Sequence, residues 1–86
     1  LRSFARKGSG QVDAVPLEEV IEGALLILKE RLTGIVFDLR WGERGLRARG
    51  ERIRLEQVVV NLIQNAVEAL EGTARPQIVL SIEAQG

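Results

Sequence analysis

The stretch Arg54 to Leu70, RLEQVVVNLIQNAVEAL, constrains this chain more than any other. Leu55, Val58, Val59, Leu62, Ile63, Ala66, Val67 and Leu70 recur at the three- and four-residue spacing of one helical face, over more than four turns. Such a face must be buried against other elements, so the chain has to build a layered fold around this helix. The same helix carries Asn61 and Asn65 one turn apart, with Gln57 a turn earlier and Glu68 close to a turn later. At about 100° per residue these four form a narrow polar stripe along the border of the apolar face. The stripe is expected to be half-buried at the rim of the core, where a pocket can open. Asparagine in a helix interior costs roughly 0.7 kcal/mol relative to alanine, because its side chain competes for backbone hydrogen bonds. The bland explanation of the pair is two amides that are solvated, or buried and hydrogen-bonded. The sharper one is a ligand site.

The rest of the chain supplies elements for that helix to pack on. Pro16 suits a helix start, and Glu18 and Glu19 follow where the helix dipole favours negative charge. Leu17, Val20, Ile21, Ala24, Leu25, Leu28 and Leu32 form an apolar face, with Lys29 and Arg31 near its end and Gly34 as the expected cap. Ile35 to Trp41 alternates: Ile35, Phe37, Leu39 and Trp41 share one face, and Val36, Asp38 and Arg40 the other. Gly42 to Gly45 reads as a turn, and Leu46 to Arg49 as a weak partner strand completing a hairpin. The long helix is expected over Arg52 to Glu71, ended by Gly72. A strand at Gln77 to Glu83 follows, with Ile78, Leu80 and Ile82 on one face. Gln11 to Val15 reads as a short extended segment, and Leu1 to Lys7 as the last turns of a helix before a Gly8-Ser9-Gly10 linker. The expected fold class is α/β (α+β), a two-layer sandwich: a small mixed sheet covered on one side by two helices.

Composition narrows the chemistry. The 86 residues carry 12 basic and 12 acidic side chains, so no bulk field draws the chain to nucleic acid. There is no cysteine and no histidine, which removes disulfides, thiolate and imidazole ligands, and a histidine base or phosphoacceptor. The longest apolar run, Ala24 to Leu28, is far too short to span a bilayer, so no membrane contact is expected of this segment. Trp41 and Phe37 read as core or core-edge residues rather than base-stacking platforms, since no basic groove accompanies them.

The pattern L-E-Q-V-x-x-N-L-I-x-N-A-x-E-A-L at Leu55 to Leu70 closely resembles the N box of sensor histidine kinases, the first nucleotide-binding motif of the Bergerat ATP-binding fold. The ends of the chain fit the same likeness. LRSFARK is similar to the end of the second dimerisation helix, and V-P-L-E-E-V-I and G-E-R-I-R-L-E-Q resemble the nitrogen-regulation and dicarboxylate-transport branch. The resemblance implies that residues 1–10 are the end of the dimerisation helix and linker, and that 11–86 are the first half of the catalytic domain. It implies ATP and Mg²⁺ as cofactors, with Asn65 the magnesium ligand and Asn61 beside the phosphates. Asparagine at 61, where hydrolytic relatives often carry a water-activating glutamate, cannot take a proton and suits a kinase. Glu51 stands where the family often has an aspartate cap, and glutamate is a poor cap. Glu68 stands where some relatives have a phosphate-binding cation, a role it cannot fill.

No aspartate follows Gln57, so the D-x-G-x-G motif that would read adenine is missing, as are the later glycine-rich boxes. No catalytic set is therefore complete in this chain. The parent protein is expected to be the kinase, passing a phosphoryl group from ATP to a histidine and then to a response regulator. Its partners would be that regulator and a second kinase subunit. Its catalytic part would be cytoplasmic, in a parent that can be anchored in the inner membrane. The chain reads as a fragment, and an open edge at its last strand predicts a homodimer of this chain. The alternative is a non-enzymatic α/β interaction module whose asparagines bond to backbone or partner.

Overall fold

The computed structural model describes residues 12–84. The expected helix end at Leu1 to Lys7 and the Gly8 to Gly10 linker lie outside those residues. The elements run β1 (Asp13–Pro16), α1 (Leu17–Ile27), β2 (Val36–Trp41), β3 (Arg47–Gly50), α2 (Arg52–Ala69) and β4 (Gln77–Ile82).

The strands form two ladders. β2 and β4 are parallel, with Phe37 opposite Ile78, Leu39 opposite Leu80 and Trp41 opposite Ile82. Hydrogen bonds from Val36 N–H to Pro76 O (3.1 Å) and from Gly42 N–H to Ile82 O (2.8 Å) extend the pairing at both ends. The apolar positions of both strands thus share one face, and Val36, Val79 and Arg40 are left exposed. β1 and β3 are antiparallel, Val15 facing Ala48, and Leu17 N–H to Leu46 O continues that ladder. The hairpin expected between β2 and β3 does not form. The Gly42 to Gly45 connection is not a two-residue primed turn of the kind that holds strands together. β3 also offers only Ala48 between arginines, whereas β4 matches the three apolar positions of β2. The two-layer α/β expectation holds, with the strands divided between two ladders.

Both helices end where local chemistry dictates. α1 starts at Leu17, one residue after Pro16, with Glu18 and Glu19 in its first turn. It stops at Ile27 rather than running on to Leu32. Leu28 and Leu32 stay in apolar register through the turns that follow, ending at Gly34 with φ 84°. Lys29 and Arg31 therefore sit in those turns and not in the helix. α2 ends at Ala69, and Gly72 takes φ 84°, a conformation easy only for glycine. Glu51 makes no capping bond; its carboxylate accepts from Arg54 Nε at 2.8 Å instead.

Leu28, Ile63 and Ile78 are the centre of the core, one each from the end of α1, from α2 and from β4. Leu25, Leu32, Ile35, Phe37, Val59, Val60, Ala66, Val67, Leu70 and Leu80 pack around them. Burying each large side chain of this kind contributes about 1.5–3 kcal/mol. Val15 on β1 and Val20, Ile21 and Ala24 on α1 are buried as well. Trp41 is half-buried at the end of β2, a core-edge position. The Arg44 guanidinium lies 5.5 Å from its ring centre and pairs with Glu18 of α1 at 3.2 Å.

Candidate functional site

α2 is built in two halves around its axis. Ile63 is 2% exposed and marks the inward direction, flanked by Val59, Val60, Ala66, Val67 and Leu70. Asn61 and Asn65 each lie two residues from Ile63, about 200° round the helix. They project from the far side and are exposed, as are Gln57 and Glu68. The stripe is therefore collected on one face, as expected, but it stands clear of the core instead of half-buried at its rim.

The apolar arc is also displaced from the one read in the sequence. Val58 and Leu62 are 63% and 57% exposed, while Val60, not assigned to the face, packs in the core. The strict four-residue repeat includes Val58 and Leu62, yet both lie about 100° or more from Ile63. They border Asn65 on one side as Gln57 and Asn61 border it on the other. The site is thus a row of carboxamides beside an exposed apolar strip.

Neither Asn61 nor Asn65 makes a side-chain hydrogen bond among the described residues. The hydrogen-bonded version of the bland reading is not what the structure shows; the amides are open to solvent or ligand. No three of His, Cys, Asp and Glu group into a metal cluster among the described residues. A carboxamide oxygen is nevertheless a hard donor suited to Mg²⁺, which takes few protein ligands and fills its shell with waters and phosphate oxygens. Asn65, exposed and unbonded, fits that requirement. A shallow depression lined by Gly34, Val36, Ala74 and Pro76 lies at the start of the β2–β4 ladder and involves none of these residues. No described helix is long and apolar enough to cross a membrane.

No protein-family model matches the chain. Over 72 residues, 81% of its length, it is 49% identical to the C4-dicarboxylate transport sensor protein DctB of Rhizobium meliloti (strain 1021). The match spans 12% of that protein. Among solved structures, the catalytic domain of histidine kinase ThkA matches with a TM-score of 0.72 at 26% identity, covering 88% of this chain and 52% of that one. The cytoplasmic segment of histidine kinase QseC reaches a TM-score of 0.72 at 19% identity, covering 87% of this chain and 50% of that one, a likeness of fold alone. Histidine kinase ThkA in complex with response regulator protein TrrA matches at 0.68 and 24% identity, covering 94% and 26%. The chain thus spans a small part of the curated relative and about half of the first two solved segments. Near-half identity to a dicarboxylate sensor over most of this chain, on a fold shared with histidine kinase catalytic domains, shows the chain to be homologous to one segment of such sensor histidine kinases.

Proposed function

We propose that residues 11–86 form the first half of an ATP-binding catalytic domain, preceded at 1–10 by the end of a dimerisation helix. The whole protein then transfers the γ-phosphoryl group of Mg-ATP to a histidine, and from there to an aspartate of a response regulator. The observation that carries this reading is the pair of exposed, unbonded carboxamides one turn apart on α2, whose opposite face is locked into the core. Asn65 would hold the magnesium ion through its carboxamide oxygen, and Asn61 would lie beside the phosphates. When bound, the metal neutralises charge on the transferring phosphoryl group, and most of the catalysis is positioning and charge stabilisation. Asn61 can donate or accept a hydrogen bond but cannot take a proton from water, which favours transfer over hydrolysis.

The chain has no histidine, so the acceptor lies elsewhere in the protein or on a second kinase subunit. A response regulator as partner is supported by the likeness to a kinase solved with one. We place the catalytic segment in the cytoplasm, in a parent anchored in the inner membrane. The adenine-reading motif is absent, so calorimetry of the 86-residue chain with Mg-ATP should detect no tight site. Micromolar binding would show that adenine recognition resides in this half after all. The decisive test is Asn65→Ala in the whole protein, scored by transfer of labelled phosphate from ATP. A loss of about 100-fold with a melting temperature unchanged or slightly raised is expected. Normal phosphorylation would remove the magnesium assignment; a whole parent protein that transfers no phosphate at all would favour a non-enzymatic interaction module.

A further inference from the structure

Two local costs coincide where α1 meets α2. Gly23 stands in the middle of α1, where glycine is disfavoured relative to alanine. The space its side chain would fill is taken by Glu56 of α2. A Cβ on Gly23 would overlap Glu56 Oε2 and lie 2.8 Å from its Cδ. Glu56 is partly buried, on the core side of α2, and makes no hydrogen bond or ion pair among the described residues. One turn earlier on each helix, Glu19 of α1 is paired with Arg52 of α2. The two contacts have the same spacing, so they are successive rungs of one seam between helices running the same way. When a chain breaks a local rule twice at one contact, a functional constraint is the first explanation to test.

We propose that Gly23 and Glu56 are a positioning pair: a glycine notch in α1 that seats the Glu56 carboxylate and so holds the rotation of α2 about its axis. The inference rests on the reading of Asn61 and Asn65 as the phosphate and magnesium face. These asparagines lie about 140° and 180° round the helix from Glu56, on the opposite side. A turn of about 20° about the helix axis would carry a side-chain atom roughly 6 Å from that axis through about 2 Å. Displacements of about 1 Å at a reacting site can already cost a hundredfold. Of the two rungs, the ion pair is exposed and screened, so it holds this angle weakly. The notch adds a packing contact through the Glu56 stem, whose Cγ would lie 3.5 Å from a Cβ on Gly23.

The test is a double-mutant cycle on the whole protein, read by calorimetric affinity for a non-hydrolysable ATP analogue, with and without Mg²⁺. Gly23→Ala closes the notch and unseats the carboxylate. It should weaken Mg²⁺-dependent binding about fivefold, while Mg²⁺-free binding stays within about twofold. The melting temperature should hold, because the carboxylate end is flexible and alanine favours the helix. Glu56→Gln, which keeps the shape, should bind like the parent. Glu56→Ala, which empties the notch, should weaken binding as Gly23→Ala does. In Gly23→Ala/Glu56→Ala the methyl groups pack the seam directly, and affinity should return to within about twofold of the parent. A Gly23→Ala protein with unchanged Mg²⁺-dependent affinity, or a double variant no better than the singles, overturns the proposal. Asn65→Ala is measured in parallel. If it binds Mg²⁺ and analogue normally, the magnesium reading fails, while the cycle still decides whether the seam governs nucleotide affinity.

Discussion

The two faces of α2 divide the work of this chain. The inward face puts Val59, Val60, Ile63, Val67 and Leu70 against Leu28 and Ile78. The outward face holds Gln57, Asn61 and Asn65 in the open. Two interior asparagines cost about 1.4 kcal/mol of helix propensity. Burial of Ile63 alone offsets that, at about 1.5–3 kcal/mol. A helix can therefore carry unfavourable residues on one side when the other is well packed, and stability and binding become separable by direction round one axis.

Ile63→Ala should give the largest effect and act on stability. The residue is 2% exposed at the junction of three elements, so the loss should fall in the 2–5 kcal/mol range for such truncations. Urea unfolding of the chain measures it, and a cost under about 1 kcal/mol would mean that Ile63 is not the core centre. Asn65→Ala should do the reverse, losing about 2.7 kcal/mol of activity at a hundredfold while gaining a few tenths in helix stability. A variant that loses both together would break the comparison. Gly72→Ala comes next at about 1 kcal/mol, since its φ of 84° is strained for a residue with a side chain. Unfolding of that variant at parental stability would show that the turn after α2 can relax.

Long periodic segments were readable from the residues, and so were the strand alternation and the turns at Gly34 and Gly72. Pairing partners were not. β2 and β4 are separated in the chain by β3 and α2, and the match of Phe37, Leu39 and Trp41 with Ile78, Leu80 and Ile82 becomes meaningful once both strands are laid side by side. The premature end of α1 was hidden because Leu28 and Leu32 keep apolar spacing after the regular helix gives way to turns. The asparagines were legible as a pair and as a motif, but their exposure was not, since periodicity gives angles between residues and not the direction of the core. The Gly23–Glu56 contact left no sequence signal beyond a glycine inside a helix.

The smallest expected effect in this chain is also the most informative about the rest of the protein. Val58 and Leu62 are apolar, belong to the regular repeat of α2, and are 63% and 57% exposed. Replacing either with serine removes little buried surface here, so each should change the unfolding free energy of the 86-residue chain by no more than about 0.5 kcal/mol. The first two solved kinase segments are about twice as long as the part this chain matches. If further chain packs on that flank in the whole protein, the same substitutions should there cost about 1–3 kcal/mol each, the loss expected once the side chains are buried. Hydrogen exchange of α2 in both contexts separates the outcomes. Equal, small effects in chain and whole protein would leave the strip as free surface beside Asn65. A large cost only in the whole protein would make Val58 and Leu62 the seam on which the rest of the proposed nucleotide site is hung.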